Sequence, residues 1–117
     1  MNTLFILNDP PYGTERVYNG LRLAQAICKH DPQGRVAVFL MADAVLSARS
    51  GQKTPDGYYN VERMLKRIVA AGGRVLLCGT CMDARGLPAD GMVDGAERST
   101  MDALAEATMA ADKVIVF

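Results

Sequence analysis

Apolar and polar positions fall in blocks along this chain, and the blocks change period. Leu4-Phe-Ile-Leu7 is a short apolar run closed by the turn formers Asn8-Asp-Pro-Pro-Tyr-Gly13, which predicts a first strand. Val17, Leu21, Leu23-Ala24, Ile27 and Cys28 then recur at helical spacing. Thr14 is the predicted N-cap of that helix and Glu15 suits its first turn. Pro32 and Gly34 stop it. Arg35-Val-Ala-Val-Phe-Leu-Met41 is apolar after its first residue, as expected of a parallel strand covered on both faces. Asp43 to Arg49 predicts a short helix, and Gly51-Gln-Lys-Thr-Pro-Asp-Gly57 an exposed loop.

Asn60 is a predicted N-cap for a helix carrying Val61, Met64-Leu65 and Ile68-Val69 on one face, closed by Gly72-Gly73. Arg74-Val-Leu-Leu77 reads as a third strand. Leu87-Pro-Ala-Asp-Gly91 is a loop, and Met92-Val93 is at most a very short strand. Ser99 is expected to cap a last helix, with Asp102 reciprocating and Met101, Leu104-Ala105 and Met109 on its apolar face. Lys113-Val-Ile-Val-Phe117 is a final strand. Strands alternating with helical stripes imply right-handed βαβ units. The predicted fold is a three-layer α/β/α sandwich with a mostly parallel sheet of about five strands.

Composition narrows this picture. The 117 residues are enough for one domain over 1–117, and no linker or repeat divides them. Lys plus Arg equals Asp plus Glu at 13 each, so no basic excess points to nucleic acid, and little long-range repulsion opposes self-association. The N-terminal run lacks a basic n-region and a cleavage site, so a first strand is expected there and not a signal peptide. No apolar stretch is long enough for a membrane span. The expected compartment is the cytoplasm, where thiols stay reduced. Three cysteines are an odd number and argue against a disulfide framework.

Candidate chemistry gathers at Cys78-Gly-Thr-Cys81-Met-Asp-Ala-Arg85-Gly86. A buried strand feeding this turn puts Cys78 at the carboxyl end of a sheet, the edge where open α/β folds bind ligands. Gly79 or Thr80 is expected to cap a helix start whose partial positive charge favours the Cys78 thiolate. Arg85 adds positive potential if it folds back, and Asp83 works against it if close. Cys81, three residues on, is placed either to resolve an oxidised or persulfidated Cys78 or to pack as a small residue.

Tyr12-Gly13-Thr14 has two readings, a tight turn with an N-cap or a wall of the Cys78 pocket. Cys28 lies in an apolar stripe and is expected to be a core thiol. Zinc would need third and fourth ligands beside Cys78 and Cys81, and the one histidine, His30, ends a different element, so no metal is predicted. No Gly-x-Gly-x-x-Gly or P-loop pattern occurs, so no nucleotide site and no other cofactor is predicted.

Five blocks taken together carry a resemblance: Pro11-Tyr-Gly-Thr-Glu15, Phe39-Leu-Met-Ala-Asp-Ala-Val45, Gly51-Gln-Lys53, Cys78 to Gly86, and Ala111-Asp-Lys-Val-Ile-Val-Phe117. In this order and register they resemble the DsrE/DsrF-like family, with the nearest likeness to its YchN-like branch. The resemblance runs nearly end to end, and Cys-x-x-Cys-x-Asp-x-Arg-Gly is its most specific part. It implies a sulfur-relay function, in which the cysteine after the third strand, here Cys78, carries sulfane sulfur as a persulfide between donor and acceptor proteins. It also implies a homo-oligomer, a trimer or hexamer. Two other readings stand beside it. One is a thiol–disulfide redox protein using Cys78 and Cys81, and the other is an oligomeric binding module with incidental cysteines.

Overall fold

The computed structural model describes residues 1–117 as a five-stranded sheet with helices packed on it. In chain order the elements are β1 (Asn2–Leu7), α1 (Arg16–His30), β2 (Arg35–Leu40), α2 (Val61–Ala70), β3 (Arg74–Cys78), α3 (Gly79–Ala84), β4 (Ala96–Ser99), α4 (Met101–Ala110) and β5 (Lys113–Val116). A 3₁₀ helix over Ala42–Ala48 follows β2, where the polar pattern predicts a short helix. The strand order is β4-β3-β2-β1-β5 and every pairing is parallel.

The topology places the chemistry. From β1 to β4 the chain steps in one direction across the sheet, and α1 packs beside α2. The last crossover turns back past β3, β2 and β1, so right-handedness puts α4 on the opposite face. Parallel strands all end at one edge, so the loops after β1, β2 and β3 share it.

The strongest apolar runs make the core. Phe5, Leu7, Phe39, Leu40, Leu65, Ile68, Leu77 and Met82 are almost wholly buried. α2 forms where predicted because Val61, Met64, Leu65 and Ile68 bury one stripe. Asn60 Oδ1 accepts from the Arg63 N–H at 3.1 Å to satisfy its first turn. Gly72, at φ +88°, closes it in a conformation that a side chain would strain. Met64 and Met92 belong to this core, whereas Met101 and Tyr58 are 63% and 71% exposed.

Met92 makes an isolated bridge to Arg49, within the expectation of at most a very short strand there, and the fourth strand, Ala96–Ser99, is an element the apolar pattern does not predict. Three local expectations are corrected. The cap of α4 is Thr100, whose Oγ1 accepts from the Ala103 N–H at 3.1 Å, because Ser99 is still paired in β4. Thr14 does not cap α1, which starts after Glu15; Thr14 Oγ1 accepts from Arg16 N–H at 3.3 Å and donates to Asp9 at 2.9 Å. Neither Gly79 nor Thr80 caps α3, because Cys78 itself does.

Candidate functional site

Cys78 is the last residue of β3 and the N-cap of α3. Its Sγ accepts from the backbone N–H of Cys81 at 3.3 Å, one of the donors that a helix start leaves unpaired. The Thr80 hydroxyl lies 3.4 Å from the same sulfur. Cys78 and Cys81 are joined as a disulfide, with Cα atoms 5.2 Å apart. The sulfur of Cys81 accepts in turn from the Ala42 N–H at 3.2 Å. Ala42 holds a left-handed backbone at φ +49°, which costs a residue with a side chain roughly 1–2 kcal/mol. Backbone strain of this kind gathers at functional sites, and here it aims an N–H at the cysteine pair.

Cys78 is only 8% exposed, and it opens on a cavity of about 190 Å³. Phe39, Met41 and Met101 line the apolar side of the cavity, and Thr80, Arg98 and Thr100 its polar side. Gly79 is required by the close approach of α3 to β4. A Cβ there would lie 2.9 Å from Arg98 Nε and 3.0 Å from the Ser99 carbonyl oxygen.

Two ion pairs flank α3. Arg98 donates to both carboxylate oxygens of Asp83, at 2.8 and 2.7 Å. That pairing holds the Asp83 carboxyl below its usual range, and the guanidinium's positive charge offsets the carboxylate's negative one. Arg85 turns toward the end of α3, donating to Asp43 at 2.8 Å and to the Cys81 carbonyl at 3.0 Å.

Gly79, Thr80, Asp83 and Arg85 therefore surround the cysteine pair. Tyr12, Gly13 and Thr14 do not line its cavity. The Tyr12 hydroxyl donates to the Gln52 side chain and accepts from the Val61 N–H at 3.2 Å, tying the β1–α1 loop to the start of α2. Arg98, Ala42 and Phe39 also border the site, although nothing in the sequence pattern gives them a place there. Arg98 sits in the polar segment Ala96–Ser99, and nothing in Met41-Ala42-Asp43 signals a left-handed residue. Cys28 is partly buried against the core, and burial pushes its thiol up. No group of three or more His, Cys, Asp and Glu side chains is placed to hold a metal ion. No helix is long and apolar enough to cross a membrane.

A family model described as the DsrE/DsrF-like family matches residues 1–117. The chain belongs to the DsrE/DsrF-like family. It is 40% identical over 114 residues to protein YchN of Escherichia coli (strain K12), covering 97% of each chain. It is 34% identical over 112 residues to an uncharacterized protein of Methanopyrus kandleri, covering 96% of this chain and 90% of that one. The crystal structure of the E. coli ychN protein superposes with a TM-score of 0.92 at 41% identity, covering 100% of both chains. A protein of unknown function from Methanobacterium thermoautotrophicum superposes at 0.81 with 14% identity, over 99% of this chain and 98% of that one. This last likeness shows the shared fold alone. Within the family, the α/β sandwich and its parallel sheet are those of YchN.

Proposed function

We propose that this chain is a sulfur-relay carrier that holds sulfane sulfur as a persulfide on Cys78. The observation that carries the reading is a Cys78 sulfur capped by a helix N–H and opening on a small, half-apolar cavity beside Arg98. Membership of the DsrE/DsrF-like family supports a relay-type fold.

Loading begins with the Cys78 thiolate attacking the outer sulfur of a donor persulfide. The donor's sulfur–sulfur bond breaks, a Cys78 persulfide forms, and the donor cysteine leaves as a thiolate. Unloading is the same exchange run onto an acceptor thiolate. If Cys81 attacks the inner sulfur instead, a Cys78–Cys81 disulfide forms and sulfide leaves. A dithiol reductant then supplies two electrons to restore the thiols. The disulfide between the two cysteines also favours a second reading, a thiol–disulfide redox protein.

The proposed carrier works in the cytoplasm as a homo-oligomer, a trimer or hexamer, with donor and acceptor proteins as transient partners. Val114 and Val116 on the edge strand β5 are 41% and 62% exposed, and Met109 on α4 is 86% exposed, which supports a covered face. Light scattering behind a sizing column should give a multiple of the 12.6 kDa chain mass. A persistent monomer mass rejects the oligomer.

Mass spectrometry after incubation with a cysteine desulfurase and cysteine tests the chemistry. One added sulfur is expected on Cys78, none in Cys78→Ser, and a longer-lived adduct in Cys81→Ser. Full loading of Cys78→Ser overturns the carrier reading. Reversible Cys78–Cys81 oxidation with no sulfur uptake by any variant would leave the redox reading in its place.

A further inference from the structure

On the α1–α2 side, away from Cys78 and Cys81, lies a cavity of about 440 Å³, more than twice the volume of the one at Cys78. Its walls come from α1, from α2 and from the loop Asp56–Tyr59. Arg22, Arg63 and Arg67 all line it, and none of the three takes part in an ion pair. Arg22 makes one neutral contact, Nη1 to Asn19 Oδ1 at 3.1 Å. Arg63 and Arg67 are one helical turn apart on α2, a like-charge spacing that disfavours the helix. Asp56 is the only carboxylate in the lining, so the walls carry a net charge of +2, three arginines less one aspartate.

Aromatic rings stand beside this charge. Tyr59 stacks on Tyr18 with centroids 4.0 Å apart and planes 16° from parallel. Arg22 lies 5.6 Å above the Tyr18 ring. Tyr58, 6.0 Å from Tyr59, leaves its outer surface to solvent. The loop that presents these rings holds Asp56 and Tyr59 in left-handed conformations, φ +52° and +70°, a cost that no glycine relieves at either position. Tyr18 is raised above the ordinary phenol range by the neighbouring Tyr58 hydroxyl and by burial, and Tyr59 by burial and Glu15.

We infer that this cleft binds a small phosphate monoester bearing a flat ring, of the aryl phosphate or nucleoside monophosphate class. Uncompensated guanidiniums suit a dianion, because each planar fork matches phosphate oxygens. The tyrosines suit a ring that stacks. A volume near 440 Å³ lies in the range of small-molecule sites. Protein docking faces instead spread over ~800 Å² per partner. No glycine-rich phosphate loop takes part, which is why motif reading predicts no such site.

Calorimetric titration of the intact chain tests this with adenosine monophosphate, phenyl phosphate, inorganic phosphate and adenosine as separate titrants. At least one of the two esters should bind, more weakly as salt rises. Phosphate and adenosine alone should each bind about tenfold more weakly or worse, having lost one half of the recognition. Arg63→Ala and Arg67→Ala, both at exposed positions, should each weaken ester binding by about tenfold with an unchanged thermal midpoint. Tyr58→Ala should also weaken it. Cys78→Ser should bind as the parent does, so failure of the sulfur-relay reading leaves this result intact. Any of three results overturns the inference: neither ester binds, binding survives loss of both Arg63 and Arg67, or inorganic phosphate binds as tightly as the esters.

Discussion

Arg98 of β4 grips Asp83 of α3 with two guanidinium nitrogens on two carboxylate oxygens, at 2.8 and 2.7 Å. The pair ties the edge strand to the helix that Cys78 caps, and Arg98 also lines the Cys78 cavity. Breaking it from either side should move the thiol in opposite directions. Arg98→Met leaves an unneutralised carboxylate near the reduced cysteines and should slow alkylation of Cys78 at neutral pH. Asp83→Asn frees a guanidinium and should speed it. A pH–rate profile for iodoacetamide in each variant is the measurement. Identical profiles would remove Arg98 from the electrostatics of the site.

Reactivity should also separate the cysteines. In the reduced protein Cys78 should be labelled before Cys28, because Cys78 has a helix N–H donor and opens on a cavity, whereas burial pushes the Cys28 thiol up. In the oxidised protein only Cys28 should label, since Cys78 and Cys81 are joined. Peptide mapping after a brief pulse decides this, and Cys28 labelling first in the reduced chain contradicts it.

Gly79→Ala should destabilise the fold by about 1–3 kcal/mol, as overpacking commonly does. The added methyl meets Arg98 Nε at 2.9 Å and the Ser99 carbonyl oxygen at 3.0 Å, and the second is backbone that cannot swing aside. Urea unfolding of the two proteins gives the difference. A change below a few tenths of a kcal/mol would show that β4 yields easily.

Glu62 ties the loop after the 3₁₀ helix to α2. Its side chain accepts from the Gln52 N–H at 2.8 Å and pairs with Lys66 at 3.1 Å. Burial pushes its carboxyl up, but those partners outweigh burial, and the net shift is downward. A carboxyl lowered on folding stabilises fully above its ordinary value of 4.5 and loses that stability as pH falls through the lowered value. Glu62→Gln should therefore be less stable at pH 7 by up to about 1.5–3 kcal/mol, the worth of a charged hydrogen bond. The gap should close on acidification below the ordinary glutamate value. Urea midpoints across pH measure it, and a gap constant with pH would rule out this linkage.

The elements legible in the sequence are those whose burial demands apolar side chains in a fixed period. β2 and β3 lie inside the sheet, so Val36 to Leu40 and Val75 to Leu77 had to be apolar almost without break. α2 shows its stripe because one face meets the core while the other meets water. β4 was not legible for the converse reason. It is an edge strand held to β3 by backbone pairing, which any side chain permits, and Ala96-Glu-Arg-Ser99 carries no apolar signal.

The same division runs through the sites. That a cysteine ends a buried strand and a second follows at a reachable spacing can be read from the chain alone, because both facts are local. What surrounds the two cysteines depends on how distant segments fold together. Ala42 reaches Cys81 across 39 positions and Arg98 reaches Asp83 across 15. Arg22 and Arg63 come to one cleft because α1 and α2 pack side by side. Such juxtapositions follow from strand order and crossover hand, which involve the whole chain at once and leave no periodic trace near any one residue.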